Sequence, residues 1–155
     1  MNDGGRYDDD QRWLQSVLTG SIPLARAMAL QVVQLDECGV ALSLPLPPNI
    51  NDKGTAFGGS LASALILAGW SLPRLLLHRA GIAANLVIGH CELRFLLPVD
   101  GDFEVRCHWP NAAVADGFVR KLEASDRAGM TLQPEAVFRG QVAATLSAKY
   151  AALRS

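Results

Sequence analysis

At 155 residues, half of them apolar and 19% charged, the chain is long enough for one filled core and too hydrophobic for intrinsic disorder. Its 14 lysines and arginines nearly balance its 15 aspartates and glutamates, for a net charge of −1. With no basic tract, no aromatic–basic interleaving and no zinc-ligand spacing, neither nucleic acid nor a metal ion is expected.

Cys38, Cys91 and Cys107 are odd in number and widely spaced, which fits reduced thiols in a cytoplasmic protein better than a disulfide framework. In chain order, residues 1–10 are glycine- and acid-rich, so a frayed terminus is expected, followed by one domain over 11–155. The acidic N-terminus has no apolar segment of the kind a secretory signal needs.

Residues 11–18 predict a short amphipathic helix with Trp13, Leu14, Val17 and Leu18 on one side, ended by Gly20 and Pro23. Residues 27–35 and 40–46 read as two strands joined by the turn residues Asp36 to Gly39. Pro45, Pro47 and Pro48 then stop pairing, so residues 49–54 form an irregular loop. A long apolar helix over about residues 58–79 follows, with a kink or early stop expected at Pro73 and an end at Gly81. Its strongly apolar part, residues 61–72, would span roughly 18 Å, against about 30 Å of hydrocarbon, so it reads as a core helix and no membrane span is expected.

Beyond it, residues 85–99 form a long strand, with 103–109 expected as its hairpin partner. A helix over 115–124 carries Phe118, Val119 and Leu122 inward. Two last strands, 130–138 and 141–151, meet at Arg139-Gly140. Strands running on both sides of one apolar helix imply an α+β fold in which an antiparallel sheet wraps that helix. Being apolar nearly all round, the helix needs further cover, and a second copy of the chain is the simplest source. A homodimer is therefore expected, with further pairing into a tetramer left open.

The stretch Asn51-x-x-Gly54-Thr55-x-Phe57-Gly58-Gly59-Ser60 carries the chemistry. Paired glycines at a loop-to-helix junction let a ligand approach the backbone, and the free N–H groups of a first helical turn stabilise a carbonyl oxygen gaining negative charge. Read as a purely structural feature, the same pair permits tight helix–sheet packing. The pattern resembles the hotdog thioesterases, whose signature is Asn, Gly three residues on, then His-Gly-Gly. Further matches, at Pro48-Asn49-Ile50-Asn51, Ala68-Gly69-Trp70 and Leu93-Arg94-Phe95-Leu96-x-Pro98-Val99, make the chain similar to the thioesterase family found as the C-terminal domain of YiiD-type acetyltransferases. Here it would be a stand-alone version.

The resemblance implies a hotdog dimer acting on an acyl thioester, with the acyl chain along the central helix and the site where the glycine turn meets the partner subunit. It also implies Gly59 N–H as oxyanion donor, Asn51 orienting water or carbonyl, and Thr55, Phe57, Gly58, Ser60 and Ser63 lining the substrate site, with no cofactor.

Two departures bear on mechanism. Phe57 replaces the motif histidine, and the helix position that carries an acid in related enzymes is Ile66. No acidic residue lies between Lys53 and Gly81. His90, on the following strand, is the candidate base: an imidazole titrates in the range that suits water activation at neutral pH, although it alternates away from the apolar face. Three functions are in view: a hydrolase of acyl-CoA or acyl-carrier-protein thioesters, a non-catalytic binder of the same ligands, and a scaffold using only the dimer.

Overall fold

The computed structural model describes residues 3–155. The elements are α1 (Asp3–Ser21), α2 (Pro23–Ala27), β1 (Gln31–Leu35), β2 (Gly39–Leu44), α3 (Gly58–Ala80), β3 (Asn85–Phe95), β4 (Phe103–His108), α4 (Ala112–Ser125), β5 (Arg127–Leu132), β6 (Glu135–Phe138) and β7 (Gln141–Leu153). The strands form one antiparallel sheet in the order β1-β2-β4-β6-β7-β3, with β5 pairing β7 beyond β6. The sheet buries its inner side chains around α3, giving the α+β hotdog arrangement.

The first helix starts earlier than its composition suggests. Residues 3–10 were expected to fray, yet helix α1 begins at Asp3. Asp10 is buried, and its carboxylate accepts two hydrogen bonds from Arg79, at 2.7 and 2.9 Å. The same guanidinium lies 5.1 Å from the Tyr7 ring. One turn on, Trp13 stacks on His78 at 3.7 Å. A partner 69 residues away, invisible to local pattern, thus orders the acidic stretch. Residues 1 and 2 lie outside the described residues.

Other boundaries move for local reasons. The strand expected from residue 27 begins at Gln31, because Pro23–Ala27 wind into a helical turn whose exit, Ala29, has φ 55°. Helix α4 starts at Ala112, since the Asn111 side chain accepts from Val114 N–H at 2.9 Å and caps it. The expected strand 130–138 is two, β5 and β6, separated by Gln133 and Pro134, and Pro134 has no N–H to give the ladder.

The topology corrects a larger expectation. Strand β4 is not the hairpin partner of β3; it lies between β2 and β6, while β3 pairs only with β7. The segment 96–102 carries the chain from one side of the sheet to the other. Strand β3 is thus an edge with one row of unpaired N–H and C=O groups.

Helix α3 runs unbroken through Pro73 to a left-handed Gly81 at φ 65°. Its 23 residues are long and apolar enough to cross a membrane by length and composition. Eleven of its residues are buried in the fold. The fully buried Tyr150 donates its hydroxyl to Ile66 O on α3 at 2.7 Å. Gly69 leaves room for that hydroxyl, since a Cβ there would overlap it. Burial pushes the Tyr150 phenol far above its ordinary range.

Candidate active site

The loop before α3 is stitched by its own backbone. Ala56 N–H donates to Val99 O and Phe57 N–H to Asn49 O, both at 2.7 Å. Phe57 then takes the N-cap position, where its hydrocarbon side chain offers no acceptor. Leu61 N–H is the first to find an intrahelical carbonyl, that of Phe57 at 3.0 Å. The N–H groups of Gly58, Gly59 and Ser60 are therefore left free, as those of any uncapped first turn are.

Beside this turn lies a groove of about 390 Å³ lined by Ala56, Gly58, Leu61, Phe95, Leu96 and the segment to Val99. Ile50, Phe57, Phe95, Leu96 and Leu97 are all exposed around it. A contiguous apolar surface of this kind, next to aligned donors, suits a ligand with a polar carbonyl and a hydrocarbon tail.

The glycines have a second reason to be glycine. A Cβ on Gly59 would strike the Phe57 ring, and one on Gly58 would stand 3.5 Å from the Phe95 ring. Two phenyl rings, each more than half exposed, thus rest on the two glycines. The contribution of Phe95 to Leu97 was not read from sequence; the signal was there, three consecutive apolar residues where strand alternation calls for a polar one.

Asn51 sits in the loop with its side chain committed locally. Its Oδ1 accepts from Lys53 N–H at 2.8 Å and Thr55 N–H at 3.0 Å, and its Nδ2 donates to Thr55 Oγ1 at 2.8 Å. This is an Asx-type turn, and it explains Thr55 as well. Ser60 and Ser63 are half-buried on the first two turns of α3, and neither hydroxyl has a protein partner among the described residues.

His90 lies elsewhere. A bulge at Gly89 shifts the register of β3 against β7, so Leu86, Ile88, Cys91, Leu93 and Phe95 face α3, while His90 stands opposite the outward Lys149. Val87, which strict alternation from Cys91 puts on the inner face, is turned outward by the same bulge. His90 is also five residues from Phe95, roughly 17 Å along the strand. One chain does not bring it to Gly59. Among the described residues, no group of three His, Cys, Asp or Glu side chains converges as a metal site would require.

The family model described as "Putative thioesterase (yiiD_Cterm)" matches residues 11–154. The chain belongs to that family.

Solved structures agree with this YiiD-type thioesterase-family fold. A protein of unknown function from Chlorobaculum tepidum is 27% identical, with 96% of this chain and 97% of that one covered at a TM-score of 0.91. The structure of a putative thioesterase from Shewanella oneidensis is 23% identical over 95% and 99% of the two chains, TM-score 0.81. A probable thioesterase from Pseudomonas aeruginosa shares 21% over 92% and 94%, TM-score 0.78. A search of curated proteins found no match.

Proposed function

We propose that this YiiD-type family member hydrolyses an acyl thioester carried on coenzyme A or an acyl-carrier protein. The observation that carries this reading is the uncapped first turn of α3 opening onto an apolar groove. The thioester carbonyl oxygen accepts from Gly59 N–H and its neighbours, which stabilise the charge it gains as water adds to the carbonyl carbon. The C–S bond then breaks, the sulfur takes up a proton, and a free acid and a thiol leave. Asn51 and Thr55 serve the site by fixing the loop that aims the turn. Ser60 and Ser63 offer hydroxyls free to bond substrate or water.

The groove lining of one chain contains no titratable side chain, so the proton of the attacking water passes to solvent or to a group brought by a second copy. The proposal accordingly includes a homodimer paired along the free edge of β3, where Val87, Ile88 and Phe95 are exposed. Sedimentation should give a dimer, and Ile88→Glu a monomer; a wild-type monomer at tens of micromolar would reject the pairing.

The absence of a titratable group in the groove also favours a second reading, a non-catalytic binder of acyl thioesters. Thiol release from acyl-CoAs and acyl-carrier proteins of increasing chain length, measured alongside equilibrium binding, separates the two. Turnover supports the hydrolase, saturable binding without turnover supports the binder, and neither result leaves only the scaffold.

A further inference from the structure

On the outer face of the sheet, away from α3, a groove of about 480 Å³ runs over β5 and β7. Its charged lining residues are Lys121, Arg127 and Lys149, with no acidic residue among those lining it. None of the three forms an ion pair with a described residue. The strand registers order this surface in rows. Thr131, Lys149 and His90 form one row, Gly129, Ala151 and Val87 the next outward one, and Arg127, Leu153 and Asn85 the row at the sheet's end.

The middle row is flat: glycine, alanine and an exposed valine. The Lys149 stem lies across it, and a Cβ on Gly129 would come within 3.3 Å of Lys149 Cε. Arg127 and Thr131, opposite Lys149, are four residues apart, roughly 14 Å along the strand. The surface thus offers a small apolar floor crossed by Lys149, whose chain end reaches Gly129, with Arg127 two residues further along β5, roughly 7 Å away, and Lys121 at its side. That matches a planar base and ribose carrying phosphates at two separate positions, with charge-assisted bonds holding each phosphate.

We propose that this groove binds the nucleoside bisphosphate end of coenzyme A, which makes acyl-CoA rather than an acyl-carrier protein the substrate. The inference deepens the thioesterase reading and rests on it. Antiparallel pairing of two β3 edges brings the Phe95 end of one copy to the Asn85 end of the other. Each groove then sits at the end of the double sheet where the other copy's donor turn opens. The pantetheine arm common to both carriers has no use for three clustered cations, and a carrier protein would need a broader basic surface than this one.

The test is calorimetric titration of the intact protein with 3′,5′-ADP, with adenosine and inorganic phosphate as separate probes. Saturable 3′,5′-ADP binding is expected to weaken at least about tenfold in both Arg127→Glu and Lys149→Glu, since each loses a charged hydrogen-bond partner. The ratio of kcat/KM for acyl-CoA over the matching N-acetylcysteamine thioester should fall in the same variants. Both residues are exposed, so unchanged circular dichroism is expected and separates binding loss from misfolding. No 3′,5′-ADP binding, binding indifferent to both substitutions, or equal binding of inorganic phosphate would overturn the proposal. So would a loss seen only with acyl-carrier-protein substrates. Binding of 3′,5′-ADP that both variants lose, in a protein that turns over no thioester, would uphold the groove and remove the hydrolase reading alone.

Discussion

Gly59→Ala is the substitution on which the proposed chemistry depends most directly. A methyl group there would occupy the space now filled by the Phe57 ring. That ring is 56% exposed, so it can swing into solvent without opening a cavity. Alanine is also the better helix former by up to about 1 kcal/mol, so the net change in stability should stay within about 1 kcal/mol. For a chain of this length that is a shift in Tm of roughly 2–4 °C. Activity should respond on a different scale. Screening one oxyanion donor costs on the order of 10²- to 10³-fold in kcat. Thiol release and differential scanning calorimetry on the same preparations measure both. The double variant Phe57→Ala/Gly59→Ala then tells methyl from ring. Recovery to the level of Phe57→Ala alone means the displaced ring covered the donors, and continued loss means the methyl did. A folded Gly59→Ala protein with unaltered kcat/KM would refute the donor-turn mechanism.

The committed hydrogen bonds of Asn51 predict that Asn51→Asp, which keeps both acceptor roles, retains activity within about threefold, while Asn51→Ala loses the turn at a cost of about 1–2 kcal/mol and loses activity with it; equal loss in both variants would instead assign the amide a direct role. Gly69→Ala should destabilise the protein by about 2–4 kcal/mol in urea unfolding, the clash and the lost Tyr150 hydroxyl bond outweighing the helix-propensity gain; a neutral result would mean the Tyr150 contact yields easily. Burial pushes the Cys107 thiol up to about 12 from 9.0, so a thiol reagent at pH 8 should modify the exposed Cys38 and spare Cys107 until the chain unfolds. Because that thiol ionises at lower pH in the unfolded chain, its contribution to stability is full below pH 9 and declines as pH rises toward 12. Equal reactivity of Cys38 and Cys107 in folded protein would contradict the burial.

Particular elements show where local sequence is sufficient. The run from Gly58 to Gly81 declares its helix through apolar density and a glycine stop, and the two-glycine junction marks its donor-bearing start. Strands β2 and β7 follow from the alternation of larger apolar residues with small or polar ones. Local pattern fails where a distant residue decides. Asp10 reads as a solvated acid until Arg79 is seen beside it, and Pro73 reads as a kink or stop although α3 continues through it to Ala80. The bulge at Gly89 inverts the face of every residue before it on β3, and nothing in the spacing of Leu86, Val87 and Ile88 announces it.

Hydrophobic period and backbone-restricted residues act over a few positions, so composition and order alone fixed the wrapped helix, its donor turn and the lack of a helix carboxylate. Which strand became the free edge, which rings rest on the two glycines and which cations share the outer groove depend on contacts between residues tens of positions apart. Those contacts are chosen by packing the whole chain at once, and only the tertiary structure decides them.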